Sequence, residues 1–208
     1  MLQTMDKQDE TPRAMADSQV WETLRAAHTN YMAATSPAYD EVLTEVADRI
    51  QATASIGKAD MGALLFWKRL RADTPWVRDL MKMQDLEVRA VTERAVSAVN
   101  DLSLSVPKAA SAGRSALSPL PGFEKGDAYA SALLLAAAPL RMAVYDRRAN
   151  AGLESLGRTL TAAPGRYRRY MEFVEDLRSI AKRHGHTWTA RDVDVALYWL
   201  GGPNRLPA

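Results

Sequence analysis

Cysteine is absent from the 208 residues. That excludes disulfides, thiolate zinc sites, cysteine-ligated iron–sulfur clusters and cysteine nucleophiles together. Histidine occurs three times, as His28, His184 and His186. The last two stand two apart in the turn RHGHTW, without the i, i+4 spacing that sets two imidazoles on one helix face, so no metal and no cofactor are expected. No apolar run approaches the roughly eighteen residues of a membrane span, so no membrane contact is expected either. The opening stretch MLQTMDKQDETPRAMADSQ has neither the apolar core of a signal peptide nor the acid-poor character of a transit peptide, and the expectation is a cytoplasmic protein. A Walker-type loop, a Gly-x-Ser-x-Gly elbow and a His-Glu-x-x-His pair are missing. So are sustained period-two alternation and an Asn-Gly hairpin.

What remains is helical. With 47% hydrophobic and 25% charged residues, the chain can build one sizeable core. Residues 1–15 are polar, contain Pro12 and lack an apolar period, and are expected to form a disordered tail ahead of a single all-helical domain over 16–208. Val20, Leu24, Ala27 and Tyr31 fall at helical spacing. Ser36-Pro37 and Thr74-Pro75 are N-cap and N1 pairs, and KADMGALLFWKRLRA between them reads as one helix. Val88, Val91, Ala95 and Val99 form a further stripe. A short helix KAASAGRSALS follows Val106-Pro107, a second runs from Asp127 to Ala138 and stops at Pro139, and RMAVY is a brief extended piece. Helices over RRANAGLESLG, RYRRYMEFVEDLRSIAKRHG and ARDVDVALYWLGG complete the chain, the last opened by Thr189 and Asp192 as a capping box. The fold class is all-α, a multi-helix orthogonal bundle of about eight to ten helices joined by short loops.

The stretch LPGFEKGDAYASALLLAAAPLRMAVYDRRA, from Leu120 to Ala149, carries the most information. A helix, a tight Gly turn and a helix make a helix-hairpin-helix, whose unpaired backbone N–H groups can face a DNA phosphate. Leu120, Pro121, Gly122 and Phe123, the helix alanine Ala128, and Asp146 placed 26 residues after Leu120 together resemble the helix-hairpin-helix DNA glycosylase superfamily, the group of endonuclease III-like enzymes. The resemblance implies a duplex-DNA partner and a role in base-excision repair. It also implies that Asp146 is the catalytic carboxylate, stabilising the positive charge on deoxyribose as the base leaves. Two positions depart from the family pattern. Glu124 stands at the hairpin's second glycine, and Gly126 stands where bifunctional members keep a Schiff-base lysine, so any glycosylase activity is expected to be monofunctional.

Each candidate has a second reading. Asp146 is a favoured N-cap for the helix that follows. Arg147 and Arg148, placed unfavourably at a helix start, call for an anionic partner. Trp67 in LLFWKRL is either a platform for an extruded base or a core residue. Arg168 and Arg169, interleaved with Tyr167 and Tyr170, suit phosphate and stacking contacts or a solvated first turn. From Arg141 to Arg191 there are eleven Lys or Arg against five acids, an excess that forms a phosphate-facing surface if the fold gathers it. With Gly122 and Lys125 in the hairpin, these define the candidate DNA contacts. The alternative is a non-catalytic helical module that binds nucleic acid or a protein partner, with Asp146 only a cap.

Overall fold

Ten α-helices and one 3₁₀ turn make up the described part of the chain. The structure is a computed structural model and describes residues 15–202. The tail expected over 1–15 lies, except for Met15, outside the described residues, as do residues 203–208. No strand occurs among the described residues, and the chain is all-helical there. The helices are α1 (Asp17–Ala34), α2 (Glu41–Thr53), α3 (Lys58–Trp67), α4 (Pro75–Lys82), α5 (Asp85–Asn100), α6 (Val106–Ala116), α7 (Ala128–Ala137), α8 (Arg147–Ser155), α9 (Arg166–Arg183) and α10 (Ala190–Leu200).

Apolar spacing explains the packing. Val20, Leu24, Ala27 and Tyr31 on α1 are all buried, and so are Val88, Ala95 and Val99 on α5. α7 differs: every residue from Ala130 to Ala136 is buried, as a helix apolar on all sides must be at the centre of a core. It touches α2, α3, α5 and α6, while α8 pairs with α10, α1 with α10, and α6 with α9. The α8–α10 contact is very close. A Cβ on Gly152 of α8 would lie 2.2 Å from the Leu197 carbonyl oxygen, and one on Gly201 would lie 1.8 Å from that of Arg148. Only glycine lets the two backbones approach so far.

Three helix ends differ from the sequence expectation. Ser36-Pro37 opens a 3₁₀ turn, Pro37–Asp40, before α2 begins at Glu41. α6 starts at Val106, with Pro107 inside its first turn, where proline's missing N–H removes no helical bond. α3 stops at Trp67 instead of running on through KRLRA. Arg69 takes a left-handed φ of 55°, and its N–H and that of Leu70 donate back to the Phe66 and Leu65 carbonyls. This is the closing motif that glycine normally serves.

The extended piece after α7 is buried, yet it pairs with no strand. Its backbone is satisfied by side chains. Tyr167 and Tyr170 of α9 donate their hydroxyls to the Ala143 and Val144 carbonyls at 2.9 and 3.0 Å. Tyr145 N–H donates to Ser131 Oγ of α7 at 2.9 Å. The two α9 tyrosines are therefore fully buried and do not offer stacking faces, because holding this segment requires their hydroxyls inside.

Candidate functional site

The segment between α6 and α7 makes the turn expected at Leu120-Pro121-Gly122. Phe123 N–H donates to the Leu120 carbonyl at 3.0 Å, and Gly122 has φ 84°, the arrangement of a type II turn with proline second and glycine third. Leu120 and Phe123 anchor it in the core. The face of Gly122 that a side chain would take is filled by the Trp76 ring, 2.6 Å from where a Cβ would sit. Glu124, Lys125 and Gly126 are exposed beyond it. Asp127 then ties the turn to its neighbours, accepting from Arg114 at 2.9 Å and Arg166 at 3.2 Å.

Asp146 is the N-cap of α8. Its Oδ1 accepts from the backbone N–H groups of Arg148 and Ala149 at 2.9 and 3.0 Å, and its Oδ2 is 2.5 Å from Lys68 Nζ at the end of α3. Burial opposes ionisation here, but the Lys68 ammonium and the two N–H donors outweigh it and hold the carboxyl below the usual carboxylate range.

Asp146 and Lys68 line a cleft of about 420 Å³ shared with Trp67, Tyr31, Tyr39, Tyr198, Arg69, Arg191 and Asp194. The α1–α2 connection, the end of α3, the start of α8 and one face of α10 thus meet at one place. Trp67 is both core and wall: it is 5% exposed, donates its indole N–H to Asp40 Oδ1 at 3.0 Å and lies under Arg191, whose guanidinium carbon is 5.4 Å from the ring centre. Arg191 in turn bridges Asp40 at 3.1 Å and Asp194 at 2.5 Å. Asp194 is buried, and desolvation pushes its carboxyl above the ordinary range although Arg191 opposes the shift. Asp192, two residues earlier, faces elsewhere: its Oδ1 is 3.1 Å from His28 Nε2, and its Oδ2 accepts from the Thr189 N–H in the capping box of α10. His184 and His186 pack on Trp21, with ring centres 5.8 and 4.7 Å away.

The structure therefore brings Asp146 and Trp67 together, with Arg148 at the rim, where its Nη1 donates to the Tyr198 hydroxyl at 2.7 Å. Arg147 is exposed beside it. Lys125 sits in the α6–α7 connection, away from this cleft. Arg168 pairs with Glu172 at 3.1 Å, and Arg169 donates to the Thr161, Ala163 and Pro164 carbonyls, fastening the loop before α9. Most of the basic excess between Arg141 and Arg191 is similarly engaged. Arg141 holds the Val99 and Leu104 carbonyls, and Arg158, Arg166, Arg178, Arg183 and Arg191 face carboxylates. A count of charges along the chain overstates the number free to meet phosphate.

Lys68 and Arg69 are legible in the sequence as cations beside Trp67, and Asp194 only as lying on a different face from Asp192, whereas Tyr39 and Arg191 carry no local signal that sets them in a site. No protein-family model matches the chain, and neither curated proteins nor solved structures yield a match.

Proposed function

We propose that this is a helix-hairpin-helix protein of the DNA glycosylase type, in which the cleft receives a nucleotide turned out of duplex DNA and Asp146 stabilises the sugar as the base departs. The observation that carries the reading is the meeting of Asp146 with Trp67, from distant parts of the chain, in one aromatic-walled cleft. A volume of about 420 Å³ suits a single nucleoside-sized group and not a longer strand. An extruded base lies against Trp67 and Tyr39, where stacking accepts any planar ring. Asp146 is already ionised, because its two backbone donors and Lys68 favour the carboxylate. As the glycosidic bond breaks, its electron pair leaves with the base, which takes a proton from solvent. Positive charge grows at C1′ and O4′ until water adds at C1′ and gives up a proton, and the fixed carboxylate lowers the energy of that charged state more than of the neutral sugar. Arg147, Arg148 and the exposed Lys125 of the hairpin are the groups placed for backbone phosphates.

A second reading has its own observation. Every contact of Asp146 is internal: two N-cap bonds and the Lys68 pair. Those contacts also suit a helical module that binds nucleic acid or a protein partner without chemistry, and the exposed Glu124 in the hairpin weakens phosphate contact there.

Base release from duplexes carrying single damaged or mismatched bases separates the two, with wild type and Asp146→Asn compared at equal fold content. The enzyme reading expects release by wild type and a loss of at least a hundredfold in the variant. A wild type that releases no base across a broad panel, yet shifts plain duplex, favours the binding module.

A further inference from the structure

Two guanidiniums from different elements converge at the mouth of the cleft. Arg148 Nη1 and Arg69 Nη2 both donate to the Tyr198 hydroxyl, at 2.7 and 3.3 Å. No carboxylate lies within ion-pair distance of either among the described residues, nor of the neighbouring Arg147. This contrasts with Lys68 and Arg191 deeper in the cleft, both of which are matched to acids. A neutral hydroxyl gives the two cations a common acceptor but no countercharge, and their mutual repulsion is left uncompensated.

Both arginines also occupy places the backbone disfavours. Arg69 holds a left-handed φ of 55°, the position where helices end on glycine because other side chains crowd the carbonyl. Arg148 stands in the first turn of α8, at the positive end of the helix dipole. Each is steadied by a ring, Arg69 over Tyr39 at 5.8 Å and Arg148 over Tyr198 at 4.8 Å. Such ring contacts leave the edges of a guanidinium fork open to an anion.

We propose that Arg69 and Arg148, braced by the Tyr198 hydroxyl, form a phosphate-ester site at the mouth of the cleft. It takes the phosphate attached to the sugar that enters. Lys68 and Arg191 deeper in the cleft are already matched to Asp146, Asp40 and Asp194, so no free cation draws the phosphate inward, and it stays at the rim while the neutral part of the ligand goes in. This rests on the reading of the cleft as a nucleotide pocket. The phosphate belongs either to a strand phosphodiester or to a free nucleotide.

The test uses the full chain and two probes. The first is a labelled duplex containing one tetrahydrofuran abasic nucleotide, with binding followed by anisotropy over a salt series. The second is 2′-deoxyadenosine 5′-monophosphate set against 2′-deoxyadenosine. The informative variant is Arg69→Gly, since glycine suits the backbone there and the fold is retained or strengthened. Tyr198→Phe serves as a second variant that removes only the bracing oxygen.

Arg69→Gly is expected to bind the duplex at least tenfold more weakly, with the slope of log K against log salt reduced by about one and melting unchanged or higher. Tyr198→Phe should lose a smaller part of the affinity. If wild type and Arg69→Gly bind the duplex alike, with equal salt slopes, the phosphate site is overturned while the DNA reading stands. If wild type ignores the duplex but prefers the monophosphate to the nucleoside, and Arg69→Gly erases that preference, the site stands with a free nucleotide as its ligand and the DNA reading falls. Wild type that binds neither probe overturns the phosphate site.

Discussion

At the scale of single residues, Asp146 shows how one carboxylate can cap a helix and face a cleft at once. Its Oδ1 serves the backbone and its Oδ2 faces Lys68, so the two roles use different atoms and are separable by substitution. Asp146→Ala should cost about 1–2 kcal/mol of stability, from the lost cap, and it also leaves the Lys68 ammonium without its partner. Asp146→Asn keeps an oxygen for the cap and should lose less, a difference that thermal melting of the two variants would measure. The dependence on pH follows from the direction of the shift. Because the folded carboxyl lies below its ordinary value, its stabilising contribution is present above the unfolded carboxylate pKa and is lost as pH falls through the folded one. The stability gap between wild type and Asp146→Asn should therefore be full near neutrality and shrink in acid. A gap that held constant down to strong acid would contradict the Lys68 pairing.

At the scale of elements, the α8–α10 contact fixes where Asp146 points. α8 has only nine residues and takes its orientation from the approach of Gly152 and Gly201 to the facing backbone. Gly152→Ala must push the helices apart by more than a flexible side chain could absorb, since the atom it meets is a main-chain oxygen. The expected cost is about 2 kcal/mol or more, read in denaturant unfolding, together with weaker ligand binding because Asp146 moves with α8. The glycine in GLESLG was readable as a letter but not as a contact, because its partner Leu197 lies far along the chain. Helix positions were legible elsewhere for the opposite reason. The Val20, Leu24, Ala27 stripe and the Thr189-Asp192 capping box are local patterns whose cause lies within one turn. The end of α3 was illegible because Arg69 does what glycine usually does, and propensity gives no warning of it. In the cleft, Asp146 and Trp67 were legible singly. Their meeting, and the Arg191–Asp40–Asp194 network behind them, depended on tertiary packing.

At the scale of the whole molecule, tyrosine hydroxyls link distant segments of the core. Tyr129 donates to the Met61 carbonyl at 2.6 Å, joining α7 to α3, while Tyr167 and Tyr170 hold the extended piece before α8. Burial raises the pKa of all three above the ordinary phenol value. A raised folded pKa means that the stabilisation is complete below the unfolded value of about 10 and is lost as pH climbs above it. The protein should lose stability progressively in alkali, and these phenolates should appear together with unfolding in an absorbance titration. Phenolate from all seven tyrosines with helix content intact would refute the linkage.

The cleft draws Tyr39, Trp67, Asp146 and Tyr198 from four well-separated stretches, and its floor depends on the first and last described helices, α1 and α10, lying side by side. Closing a loop of that length is a slow entropic step compared with forming α5–α6 or α8 locally. During refolding, helical signal should therefore recover before the cleft does. A probe that binds the cleft would report the last event, and a chain stalled before α10 docks would look largely helical yet bind nothing.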